Sequence, residues 1–415
     1  MVITVEAIKF NHDPAGHTTD ALNIRRNAAT FVNVPEWRRG VTTTPEQSPA
    51  AYAKRETAGN TITIQASFRS DEPGVTAQIR AIDPDKNPPR NEGGGCGGFI
   101  VWLIRRFLWA VLGNVLGEVV EKWATFNAAG GSGYVTFDLR DLRLPDVGVG
   151  PHITTWQWQY RLQAGAPWIN IDVTTHKTYV LLEVPKSPWQ QAPYNAGNTQ
   201  LPWTDVLDYA CIWAIGASDV DAAAGKVTAG VYRLGSSLVT YDCPGGGSTH
   251  YTDYSSAFYC TEFVERLGGG LGLGQYVNCT DCATFVTTFA NILGCDLSEM
   301  TLGWMFALNE MIAIGSTSFS LPCAHPPDDA GWPSFRYHEV GWKGPCSNDG
   351  YVFDGCLKVD GDADPSGGPP HVPLLAVNMR HGATGDLLYR DRLAAPGGRP
   401  NCSPDCGNVR RRTVA

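Results

Sequence analysis

Val277-Asn278-Cys279-Thr280-Asp281-Cys282-Ala283-Thr284-Phe285, running on to Leu293-Gly294, is the stretch on which the reading of this chain turns. Ala283, Val286, Phe289, Ala290 and Leu293 recur at helical spacing and offer a core face, while Thr280, Thr284, Thr287 and Asn291 form a polar stripe. Asp281 falls in the first turn, where a carboxylate suits the helix dipole, and Gly294 supplies a stop. The pattern predicts a buried helix over 280–293 with Cys279 at its entrance. Amides without intrahelical partners at such an entrance stabilise a thiolate, lowering a cysteine pKa from ~8.5 toward ~3.5–7.5. Cys279 is therefore a candidate nucleophile. Cys279 and Cys282 also form a Cys-x-x-Cys pair, the spacing of a zinc half-site or a disulfide, but no second pair of comparable spacing lies near.

A thiolate nucleophile needs a histidine to exchange protons with and a third group to orient that histidine. Downstream, the strand-like Phe335-Arg336-Tyr337-His338-Glu339-Val340-Gly341-Trp342 carries His338. After a turn at Asn348-Asp349-Gly350, Tyr351-Val352-Phe353-Asp354-Gly355-Cys356-Leu357 carries Asp354. With Trp342 facing Tyr351 in an antiparallel hairpin, His338 faces Gly355. A bulge or small register shift then brings Asp354 to the imidazole, since cross-strand neighbours lie ~5 Å apart.

Cysteine at a helix start, then a histidine strand and an aspartate strand, resembles the transglutaminase-like cysteine peptidase superfamily. Asn278-Cys279-Thr280-Asp281-Cys282-Ala283 with Leu293-Gly294 is similar to its Gly-x-Cys-x-Asp-x-Ala helix ending in Leu-Gly, and His338 and Asp354 to its hairpin. The resemblance implies an α+β, transglutaminase-like (papain-like) domain over 200–362. It implies Cys279 as nucleophile, His338 as general base and acid, and Asp354 as orienting carboxylate. The chain departs from the pattern at Asn278, where Gly is usual, at Cys282, in place of an aromatic, and at Val340, where a Trp is often seen. For the oxyanion, the backbone N–H of Cys279 is the first donor, with Asn278 and Gln275 as side-chain candidates.

Before this domain, residues 1–190 are dominated by period-two segments such as Thr61–Phe68, Val75–Ile82 and Thr154–Leu162, read as a β-sandwich of immunoglobulin-like type. Within it, 93–123 holds a Gly-rich loop and an apolar run long enough for a membrane span, against which its two arginines, Arg105 and Arg106, speak. That run reads as an amphipathic helix over 99–120, the candidate for a membrane-surface or protein contact. Residues 363–415, rich in Pro, Gly and Asp, read as a tail wrapping the surface, stapled by Cys402 and Cys406. Asp360-Gly361-Asp362-Ala363-Asp364 suggests calcium, but Pro365 stands at the loop-glycine position and His371 at that of the bidentate glutamate. No metal and no cofactor are expected.

Composition sets the outer limits. With 415 residues the chain has room for two or three cores, and 18% charged residues with 13 Trp exclude disorder of the whole. A net charge of −9 speaks against nucleic acid, which demands a basic stripe. No secretory leader is read at the N-terminus, so the cytoplasm is the default compartment, with export by another route kept open by twelve cysteines. The expected function is cysteine-dependent acyl transfer on peptide or protein amide bonds, as a peptidase, amidase or transglutaminase. The alternative is a non-catalytic interaction or assembly protein on the same scaffold.

Overall fold

The computed structural model describes the chain apart from residues 13–19, 55–60, 85, 87–113, 190–199, 244–246, 254–255, 304, 323–333 and 403–410. The described residues fall into two compact units, Met1–Val184 and one that begins at Pro185.

The first unit is built from strands β1 (Ile3–Lys9), β2 (Trp37–Arg38), β3 (Ala50–Ala53), β4 (Thr63–Ser70), β5 (Thr76–Ile82), β6 (Glu118–Thr125), β7 (Gly131–Arg140), β8 (Gly150–Arg161) and β9 (Ile169–Leu181). Every second residue of β4 and β5 is buried, as the alternating sequence requires. The strands are hydrogen-bonded as one nine-stranded sheet, in the order β2-β1-β4-β7-β6-β5-β8-β9-β3. Two facing sheets of immunoglobulin type were expected; a single sheet curls around its core instead. The reason lies in β7, whose first eight residues pair with β4 while Leu139 and Arg140 pass across to Val119 and Glu118 of β6. At that corner Gly117 has φ +64°, and a Cβ there would lie 2.0 Å from the Arg140 carbonyl oxygen. Ile64, Phe68 and Phe137 from one part of the sheet thereby meet Ile79, Trp156 and Trp158 from the other.

Of the helix expected over 99–120, residues 99–113 lie outside the described residues. Its expected end is corrected: Glu118 already opens β6, because Val119 enters the core and Glu118 ion-pairs with Arg140 at 2.9 Å. Among the described residues, no helix is long and apolar enough to cross a membrane.

The second unit contains helices α1 (Thr204–Trp213), α2 (Val220–Arg233), α3 (Cys260–Leu267) and α4 (Cys279–Asn291). Short strands β10 (Thr240–Tyr241), β11 (Ala257–Phe258) and β12 (Tyr276–Val277) lie between them. Then come β13 (Ser298–Leu302), β14 (Phe306–Ala307), β15 (Ile312–Ala313), β16 (Ser334–Phe335), β17 (His338–Lys343), β18 (Tyr351–Asp360), β19 (Pro373–Arg380), α5 (Tyr389–Leu393) and β20 (Thr413–Val414). A sheet of order β13-β17-β18-β15, with β19 also paired to β18, carries α2 and α4 against β18. Each residue of α4 is buried, and Gly294 at φ +94° ends its last turn. The close seat depends on two strand glycines. A Cβ at Gly355 would meet Val286 at 2.7 Å, and one at Gly341 would meet it at 3.0 Å.

The segment read as a surface-wrapping tail is integral to this unit. Pro373–Arg380 pairs antiparallel with β18, and Val414 pairs with Phe258 of β11. Leu374, Leu375 and Ala376 supply the apolar residues that this strand needs beneath a loop-like composition. Cys402 is disulfide-bonded to Cys346 rather than to Cys406, which lies outside the described residues.

Candidate active site

Asn278 and Asp281 fix the start of α4 as a capping box. The Asn278 side chain accepts from Asp281 N at 3.0 Å, and Asp281 Oδ2 accepts from Asn278 N at 3.2 Å. Asp281 does more than complement the dipole: it also accepts from His250 N at 2.9 Å, Tyr251 N at 2.9 Å and Thr252 Oγ1 at 3.2 Å. Burial raises its pKa to about 6 against those hydrogen bonds. The helix begins one residue earlier than expected, so Cys279 is its first residue, with an amide that has no intrahelical acceptor. Its side chain is a buried free thiol, 4% exposed.

His338 opens β17 and is fully buried. The hairpin register is one residue off the expected one: Trp342 faces Val352 and Lys343 faces Tyr351. Beyond Gly341–Phe353 the regular ladder gives way to a bulge in β18. There Asp354 Oδ1 accepts from Cys356 N at 2.8 Å and Leu357 N at 3.1 Å, turning the carboxylate toward β17. Its Oδ2 lies 3.0 Å from His338 Nε2 and accepts from Tyr389 Oη at 2.7 Å. Burial alone would lower the His338 pKa. The charge and hydrogen bond of Asp354, joined by the nearby Cys279 thiol, outweigh it and raise the pKa to about 10. Nε2–H donates to Asp354, whose charge favours the protonated ring. Nδ1 makes no hydrogen bond of regular geometry, but the Cys279 thiol is close enough to add to the raised pKa. Such looseness is common before a ligand binds.

The structure therefore brings Cys279, His338 and Asp354 together. The other sequence candidates are employed differently. Both ends of the Asn278 amide are engaged, Oδ1 in the cap and Nδ2 with Gly247 O at 2.7 Å. Gln275 is exposed, and its carbonyl accepts from Thr240 N at 2.8 Å.

Three residues that sequence reasoning passed over stand at the site. Tyr389 holds Asp354 from α5. Tyr241, stacked on Phe335 with ring centroids 6.5 Å apart, has a hydroxyl pushed well above its ordinary pKa by burial and then by the Cys279 sulfur. Arg412 is buried behind the first turn of α4, with Nη1 2.6 Å from Glu299 Oε2, 2.7 Å from Glu339 Oε1 and 2.9 Å from Thr284 Oγ1. Glu339 Oε2 in turn accepts from Thr280 Oγ1 at 3.0 Å. The residue after Cys279 is thus hydrogen-bonded to the residue after His338, and Arg412 ties that glutamate to Glu299 and Thr284. The sequence signal for Arg412 was the unusual Arg410-Arg411-Arg412 run, read only as part of a tail.

The Cys282 thiol hydrogen-bonds with that of Cys356, and both are free and buried. The acidic segment near 360 gathers Asp360, Asp362 and His371 within 4.8 Å. Both His371 nitrogens are already occupied there, by Asp360 at 2.6 Å and Glu310 at 3.0 Å.

No family model and no curated protein matches this chain. Among solved structures, that of red sea bream transglutaminase is similar over 74% of this chain, at 11% identity and a TM-score of 0.30. The match covers 50% of the fish enzyme, so the chain spans about half its length.

Proposed function

We propose that this chain is a cysteine-dependent acyl-transfer enzyme acting on amide bonds of peptides or proteins. One observation carries the reading: a buried imidazole held by Asp354 stands beside a thiol on the first residue of a helix. In the proposed cycle the Cys279 sulfur attacks the amide carbonyl and His338 protonates the departing amine, leaving a thioester. The neutral imidazole then takes a proton from the acceptor, and Asp354 keeps the ring in place throughout. The Cys279 backbone N–H is aimed outward from the helix and is the first donor to the oxyanion. Tyr241, protonated and next to the sulfur, is a better second donor than Asn278, whose amide is occupied. Water as acceptor gives hydrolysis; an amine gives cross-linking.

The slight exposure of Cys279 is the observation that favours the other reading, a non-catalytic interaction or assembly protein on this scaffold. Labelling with a peptide-like thiol electrophile, read by intact mass and peptide mapping, separates the two. An enzyme is modified selectively on Cys279, with modification lost in His338→Ala. Labelling of Cys279 no faster than of the buried Cys260, or unaffected by His338→Ala, refutes catalysis.

A further inference from the structure

The acyl-transfer reading uses Cys279 and leaves Cys282 and Cys356 without a task. Cys279 and Cys282 stand three residues apart at the mouth of α4, and ideal helix geometry sets their Cα atoms about 5 Å apart. That separation falls within the roughly 4.4–6.8 Å that a disulfide spans. The first helical turn is also where a Cys-x-x-Cys pair can close with little disturbance of the helix behind it. Both sulfurs are reduced here, and the Cys282 thiol is held by its hydrogen bond with Cys356 on the neighbouring strand.

We propose that Cys279 and Cys282 form a peroxide-responsive dithiol, in which Cys282 captures the sulfenic acid of Cys279 as a reversible disulfide. The inference rests on Cys279 being the nucleophile proposed above. In the first step the Cys279 thiolate attacks one oxygen of hydrogen peroxide. An S–O bond forms, the O–O bond breaks, and the departing hydroxide takes up a proton to leave as water; the sulfur is oxidised by two electrons and the peroxide reduced by two. In the second step the Cys282 sulfur attacks the Cys279 sulfur. The S–S bond forms, the S–O bond breaks, and hydroxide leaves with the proton given up by Cys282 as a second water. Two thiols and one peroxide become one disulfide and two waters. While bonded, Cys279 cannot attack a carbonyl, and it is shielded from the irreversible sulfinic and sulfonic acids. A dithiol reductant restores it by exchange.

The test uses the full chain, reduced and then exposed to hydrogen peroxide, with intact mass and peptide mapping after blocking of remaining thiols. Wild type should lose two hydrogens in mass, with a Cys279–Cys282 bond that dithiothreitol reverses. Cys282→Ala and Cys282→Ser should instead add oxygens to Cys279 irreversibly, about tenfold faster or more than wild type. Equal over-oxidation of wild type and variants, or a bond mapped to Cys282–Cys356, overturns the proposal while leaving the nucleophile reading intact. Oxidation of Cys279 no faster than of Cys260 overturns both.

Discussion

Replacing Arg412 with Met tests whether the polar cluster behind α4 is held by its cation. Arg412 Nη1 contacts Glu299 and Glu339 at 2.6 and 2.7 Å, and none of the three side chains is more than 2% exposed. Removing one partner from a buried ionic group leaves uncompensated charge, at a cost of about 3–5 kcal/mol. Here the charge left behind is two carboxylates facing each other. The pH dependence gives the sign. Burial raises the Glu299 pKa to about 7 even with Arg412 pulling it down, above the 4.5 of an ordinary glutamate. A carboxyl raised on folding costs stability as pH rises through that interval, and without Arg412 the interval widens upward. In urea titrations of the full chain, Arg412→Met should thus lie about 3–5 kcal/mol below wild type near pH ~8 and much closer to it near pH ~5. Adding Glu299→Gln to Arg412→Met should recover part of the loss at the higher pH. A loss below about 1 kcal/mol, or one that does not vary with pH, refutes the reasoning.

Two further outcomes follow from the geometry. Tyr389→Phe removes the 2.7 Å hydrogen bond to Asp354 while keeping the ring. Labelling of Cys279 should slow by about tenfold, with the protein's unfolding free energy lowered by about 1 kcal/mol; unchanged labelling would show that Asp354 needs no help from α5. His338 has a folded pKa near 10 against an ordinary 6.5. Its charged form therefore stabilises the fold fully below the lower value and loses that contribution as pH rises through the higher one. The stability gap between wild type and His338→Gln should narrow over that interval, and NMR of the His338 ring should place its titration above that of exposed histidines. A ring that titrates near 6.5 contradicts the assignment.

The sequence disclosed most where chemistry and periodicity coincide. Asp281, Gly294 and the apolar residues between them define α4 to within two residues at either end, because cap, face and stop are all local signals. His338 and Asp354 could be paired because both lie on one hairpin, although the register is shifted by the Asp354 bulge, which depends on backbone amides of Cys356 and Leu357 that no side-chain pattern announces. Tyr389 and Arg412 were hidden for a different reason. They reach the site across 35 and 73 residues, to Asp354 and Glu339, from segments whose Gly and Pro content suggests loops. In the first unit, alternation located the strands but not the passage of β7 from one neighbour to another, which turns two sheets into one. The end of the expected helix at 120 failed because Val119 and Glu118 have partners on β7 that local amphipathicity cannot reveal.

The threading of Arg412 sets an order of assembly during synthesis. A ribosome completes the helix, the histidine and the aspartate long before it reaches the arginine that joins their flanks. Until that arginine docks, Glu299 and Glu339 lack the cation that pairs with both of them in the folded unit. Docking of that arginine is therefore a late step for this part of the fold, since Arg412 is translated 73 residues after Glu339.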